Sequence, residues 1–196
     1  MRIARQAVMT MNEDERQLFH LAIGLALIAM VQLAGVEISA YLAGVSLVIG
    51  LVLVHIKLSY VHLGNGLEWL LERFERPGAL AGYGALTYNA AALAILTLLS
   101  SQPQILASIA ILGIGDAAST IVGRRSKRKL PYSARKTYGG TLAFFAASAP
   151  VAFCFAGLPA LAVAAAAALL ESAESKIDDN LTIAVVCIIL FRLMGG

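Results

Sequence analysis

The stretch Ile38-Ser-Ala-Tyr-Leu-Ala-Gly-Val-Ser-Leu-Val-Ile-Gly-Leu-Val-Leu-Val-His-Ile56 contains no Asp, Glu, Lys or Arg. A run of roughly 17–25 apolar residues is what a helix needs to cross the hydrocarbon core of a bilayer. The run before it, Leu18–Ala34, meets the same requirement. Five more follow along the chain, at Ala85–Ser100, Gln104–Gly123, Thr141–Gly157, Pro159–Ala173 and Leu181–Met194, the last two short for a span. The expectation is an all-α, polytopic membrane protein with about seven transmembrane helices. No hydrophilic stretch is long enough to fold alone, so residues 1–196 are read as a single domain.

Composition agrees. The chain is 59% hydrophobic and 14% charged, with a mean hydropathy of +0.80. Soluble domains run at about 45–50% apolar and about 25% charged. Cys154 and Cys187 fall inside apolar runs, which argues for buried free thiols and against a disulfide framework. Residues 1–16 are polar and lead into successive spans, a pattern that no secretory leader fits.

The charges give an orientation. Of the 15 Lys and Arg residues, all but Arg192 fall on one set of alternate loops. The positive-inside rule puts those loops, and with them the N-terminus, in the cytoplasm. The opposite loops are brief: Gly35–Glu37, Ser101–Pro103 and the turn at Gly157–Pro159. Any chemistry therefore belongs to the cytoplasmic face. The alanine run Ala164–Ala168 reads as a closely packed helix face.

Polar residues concentrate in Gly113-Ile-Gly-Asp-Ala-Ala-Ser-Thr-Ile-Val-Gly-Arg-Arg-Ser-Lys-Arg-Lys-Leu-Pro-Tyr-Ser-Ala-Arg-Lys-Thr-Tyr-Gly-Gly-Thr141. Asp116 is an acid inside a span, where a carboxylate is costly and faces a cavity or a partner. It suits a Mg²⁺ ligand, because that ion favours one or two carboxylates together with substrate phosphates. The bland alternative is a packing carboxylate paired with an Arg of the next loop. Residues Arg124–Lys136 carry seven cations in thirteen positions, and part of that charge serves as an anchor to anionic lipid heads. Arg135, Lys136 and Thr137 stand just before Gly139 and Gly140 where a helix begins, an arrangement suited to polyphosphate. Neither a P-loop nor a dinucleotide fingerprint in its strand–turn–helix context is present.

A second acidic group, Glu171-Ser-Ala-Glu-Ser-Lys-Ile-Asp-Asp-Asn180, precedes the last apolar run. Asp178, Asp179 and Asn180 read equally as helix caps and as metal or substrate contacts. Arg16 and His20 share a helix face near the start; a histidine there is more often structural than catalytic. The segment Lys57–Gly84 holds His62, Asn65, Glu68, Glu72, Glu75 and Arg76 around an apolar stripe of Trp69, Leu70, Leu71 and Phe74. That composition suits a helix lying on the membrane surface, as a lid, a lipid ramp or a plain connector.

Taken together, Gly115-Asp116-Ala-Ala, Gly123-Arg-Arg, Lys129-Leu-Pro-Tyr, Arg135-Lys136-Thr-x-x-Gly140-Thr, Glu171, Asp178-Asp179-Asn180-Leu-Thr-Ile and Arg16-x-x-x-His20 resemble the CTP-dependent polyprenol, dolichol and phytol kinases. The resemblance implies CTP as phosphate donor, Mg²⁺, and a membrane-embedded isoprenoid alcohol as acceptor. It implies a nucleotide site of Gly115, Arg124, Arg135, Lys136, Thr137, Gly139, Gly140 and Asn180. It also implies metal ligation by Asp116 and Asp179, with Asp116, Asp178 and His20 as the candidate catalytic residues. Gly139 stands where dolichol-type members carry Glu, which leans toward the phytol-type branch, and Ala184 stands where a proline is common. Phosphatidate cytidylyltransferases also resemble the chain around Asp116 and Arg135-Lys136-Thr137, so a CDP-lipid product is the alternative. A transporter or scaffold ranks below both, because transport favours polar groups near the midplane and internal repeats. No nucleic-acid partner is expected, and the sequence leaves the oligomeric state open.

Overall fold

The computed structural model describes residues 13–59, 82–175 and 177–195. The stretch holding His62, Trp69 and Phe74 lies outside the described residues, as do Arg2, Arg5 and Lys176. The described residues form seven helices. They are α1 (Glu13–Ala34), α2 (Val36–Leu58), α3 (Tyr83–Leu98), α4 (Gln102–Arg125), α5 (Tyr138–Ala156), α6 (Leu158–Glu171) and α7 (Asp179–Leu193). Each covers one of the apolar runs read from the sequence.

Four of them, α1, α2, α4 and α5, are long and apolar enough to cross a membrane, which is consistent with an integral membrane protein. The others are shorter: α3 has 16 residues, α6 has 14 and α7 has 15. Burial distinguishes the centre from the rim. Two-thirds of the apolar stretch of α4 is buried (67%), against 17% for α2. The all-round apolar surface of α2 leaves Tyr41, Val48, Ile49 and Val52 exposed, as lipid contact requires.

Short reversals join the helices. Gly35 between α1 and α2 has φ 86°, and Gly157 between α5 and α6 has φ 65°. A side chain is strained there, and glycine is not. Packing around α4 is close enough to need small residues. A Cβ on Gly140 would stand 2.9 Å from the Ser119 carbonyl oxygen, and one on Gly115 would stand 2.6 Å from the Phe144 ring. Both contacts lie between α4 and α5, and they seat the start of α5 against the end of α4.

Inside α4 the residues Ile111–Gly115 form a π-helical turn that ends immediately before Asp116. Such turns insert one extra residue, change the helix phase and often sit at functional sites. The residue that follows is Asp116, the acid within this apolar helix.

Candidate functional site

Beyond α4 the chain folds back as a small hairpin. Leu130 N–H donates to the Lys136 carbonyl (3.0 Å) and Tyr138 N–H to the Arg128 carbonyl (3.1 Å). Ser133 holds the turn, its hydroxyl accepting from the N–H of Lys136 (2.8 Å) and of Arg135 (3.2 Å). Thr137 then caps α5 by accepting from Gly140 N–H at 3.1 Å. Ser, Thr, Asp and Asn favour this position because a side-chain oxygen there satisfies an orphan helix N–H. The effect is to fix the Lys136 backbone at the mouth of the helix bundle.

From there the Lys136 ammonium reaches 2.5 Å to Glu171 and 2.8 Å to Asp179. Burial by itself would pull its pKa down. The Glu171 and Asp179 carboxylates outweigh that and raise it above the ordinary lysine value. Glu171 is 4% exposed and also accepts from the Ser119 hydroxyl of α4 at 3.1 Å. Asp116, Glu171 and Asp179 each present an oxygen within 4.8 Å of the other two. Among the described residues this is the grouping that suits a metal ion, and an all-carboxylate set suits a hard divalent cation such as Mg²⁺.

These groups line one cavity of about 590 Å³. Its wall draws on Arg16, Gln17 and His20 of α1, Tyr83 and Gly84 of α3, and Asp116, Ser119 and Thr120 of α4. Arg135, Lys136, Thr137 and Gly140 complete it from the hairpin and α5, with Glu171 and Asp178–Asn180 opposite. His20 packs edge-on against the Tyr88 ring, with centroids 5.3 Å apart.

Most of the residues singled out in the sequence therefore share one pocket, with two exceptions. Gly115 and Gly139 do not line the cavity. Gly115 lies under Phe144, and a Cβ on Gly139 would meet Ser126 at 2.8 Å, so both glycines serve close packing. Gly140 does line the cavity, and its N–H is taken by the Thr137 side chain. Arg124 lines the cavity while bridging to Asp14 at 3.1 Å, and Arg125 meets the same carboxylate at 2.6 Å.

The triplet 178–180 divides its labour. Asp178 caps α7 by accepting from Asn180 N–H at 3.0 Å, Asp179 meets Lys136, and Asn180 is nine-tenths buried. Cys154 and Cys187 are free thiols, the first exposed and the second buried.

Sequence reasoning gave three groups no role of their own. Gln17 is 2% exposed on the cavity wall and donates to Glu13 at 3.2 Å. Glu171 entered the reading within an acidic run and as one of the resembling motifs, with no partner named, although it is the buried anchor of Lys136. Glu174 ties the hairpin to the end of α6, accepting from the Ser133 hydroxyl and from Arg135 N–H, each at 2.9 Å. The hydrogen bond from Ser133, then that from Arg135 N–H, holds the Glu174 carboxyl below its ordinary pKa. A signal for Glu171 existed: an acid ending an alanine-rich apolar helix needs a partner.

No family model matches the chain, and no solved structure matches it. An uncharacterized protein of Methanocaldococcus jannaschii, MJ1137, is 32% identical over 174 residues, covering 87% of this chain and 88% of that protein. The chain belongs to one family with that archaeal protein.

Proposed function

We propose that this member of the MJ1137 family is a kinase that moves the γ-phosphate of CTP to the hydroxyl of a membrane-held isoprenoid alcohol. In this reading the chain spans the bilayer seven times, with its N-terminus and its site on the cytoplasmic face. The observation that carries the proposal is the meeting of Asp116, Lys136, Glu171 and Asp179 in one cavity at the end of an apolar bundle. An acid inside a span, a fixed lysine and further carboxylates are what a phosphate–metal complex requires.

Phosphoryl transfer asks little covalent chemistry of a protein, so catalysis is mostly positioning and charge neutralisation. The alcohol oxygen forms a bond to the γ-phosphorus as the bridging bond to the β-phosphate oxygen breaks, and CDP leaves. The alcohol proton passes to a base on the cavity wall, where His20 and Asp178 both stand. Lys136 and Arg135 take the phosphate charge, and Asn180 and Arg124 offer further polar contacts. Asp116 and Asp179 are the residues that would hold Mg²⁺. That ion would neutralise charge on the transferring phosphate. The alcohol's tail stays among the helices, so an insoluble substrate reacts without leaving the membrane.

Incubating the purified protein with γ-labelled CTP, Mg²⁺, a panel of prenyl alcohols and, separately, phosphatidate tests the proposal. Label on an alcohol supports it, and Asp116→Asn should abolish the transfer in protein that stays folded. Pyrophosphate release with a CDP-lipid would replace the kinase by a cytidylyltransferase. Absence of both products with every alcohol and with phosphatidate would remove the enzyme.

A further inference from the structure

We infer that the Lys136 ammonium is a tethered counter-ion that a divalent cation displaces from Glu171 and Asp179, freeing it to meet the phosphates of the donor. The inference rests on the kinase reading and adds to it a third carboxylate, Glu171, and a switch in what Lys136 holds.

Three carboxylates with oxygens inside 4.8 Å of one another repel, and the repulsion grows where water is scarce. Lys136 relieves it by bridging two of them, at 2.5 and 2.8 Å. Lys136 brings one positive charge to the two carboxylates that it bridges, where a divalent cation would bring two. A divalent ion matches the set in both charge and donor type. Two other cations of this stretch are turned to other acids: Arg125 meets Asp14, and Arg135 approaches Glu174 at 3.8 Å.

Asn180 supplies an independent pointer to a ligand. Its side chain is nine-tenths buried, it lines the same cavity beside Asp179, and its Oδ1 has no hydrogen-bond partner among the described residues. Burying an amide oxygen without a partner is costly. A hard cation or its bound water would satisfy it.

The movement required is small. The Lys136 backbone is pinned, its N–H on Ser133 and its carbonyl on Leu130 N–H. Only the side chain need swing, and lysine carries a compact charge on a flexible four-carbon stem. The side chain is 21% exposed, so it has an open side toward the cavity. Phosphates arriving with the metal would then find a cation released beside them.

Amine acylation followed by mass spectrometry reads the exchange directly, with exposed Lys127 and Lys129 of the same loop as internal references. The full-length protein is labelled at fixed pH without nucleotide, with and without Mn²⁺, whose binding is followed by electron paramagnetic resonance. Lys136 should label several-fold more slowly than the references in metal-free protein and approach them when Mn²⁺ is bound. Glu171→Gln should raise its metal-free labelling, and Lys136→Met should tighten Mn²⁺ binding. Unchanged Lys136 labelling with Mn²⁺ bound, or no Mn²⁺ binding at all, overturns the inference. If the exchange occurs but no alcohol is phosphorylated, the kinase reading falls and the exchange stands. If alcohols are phosphorylated without the exchange, the reverse holds.

Discussion

Lys136 and Glu171 are 35 residues apart in sequence and meet at 2.5 Å, joining the basic hairpin to the end of α6. Glu171 is almost fully buried, whereas Lys136 is partly exposed and keeps a second partner in Asp179. Removing one partner of a buried pair leaves the other charge poorly solvated. Glu171→Ala should therefore lower stability by about 1–3 kcal/mol, the usual cost of leaving a buried polar group unsatisfied. Thermal unfolding in detergent measures it. An unchanged midpoint would mean that the pair is an incidental contact.

The hairpin's second tie to α6 should be pH-dependent. The Ser133 hydroxyl and Arg135 N–H bind the ionised Glu174 carboxylate and depress its pKa from 4.5. For a depressed carboxyl, the contribution is fully present above its unfolded value and fades as pH falls through the folded one. Hydrogen exchange at the Arg135 amide should thus lose protection on acidification below pH 4.5, and Glu174→Gln should remove that dependence. Glu174 is solvent-exposed, so the effect is local to the hairpin rather than a global transition.

How far the sequence could be read depended on what kind of force fixes each feature. Every apolar run became a helix with bounds within a few residues, because a long uncharged run has few other ways to satisfy its backbone in an apolar setting. Asp116, Lys136 and Asp179 were legible as charges in costly or crowded places, and they share the cavity. Three features were not legible. The π-helical turn at Ile111–Gly115 leaves no compositional trace beyond its glycines. The close contacts of Gly115 and Gly140 are steric and depend on a neighbouring helix, so no local pattern announces them. The tie between Glu171 and Lys136 is a long-range pairing that no local pattern encodes.

That steric role gives a third prediction. Gly115→Ala would drive a methyl group to 2.6 Å from the fully buried Phe144 ring. Overpacking of this kind costs about 1–3 kcal/mol. Phe144→Leu removes the clashing ring atoms, so the double variant should be more stable than the sum of the single effects implies. Strict additivity in a double-mutant cycle would show that the two residues do not meet.

The adjacent acids Asp178 and Asp179 should separate sharply under the same substitution. Asp178 accepts from Asn180 N–H and starts α7, and asparagine caps helices as well as aspartate does. Asp178→Asn should leave stability nearly unchanged and, if His20 takes the alcohol proton, phosphate transfer within several-fold of the parent. Asp179 instead meets Lys136 and belongs to the carboxylate trio. Asp179→Asn removes a charge that the proposed transfer needs, and losing one such electrostatic group commonly costs about 10²–10³ in rate. The measurement is initial rate with γ-labelled CTP at saturating alcohol. Equal losses in the two variants would make Asp178 a participant rather than a cap. Parental activity in Asp179→Asn would take that residue, and the metal assigned to it, out of the reaction.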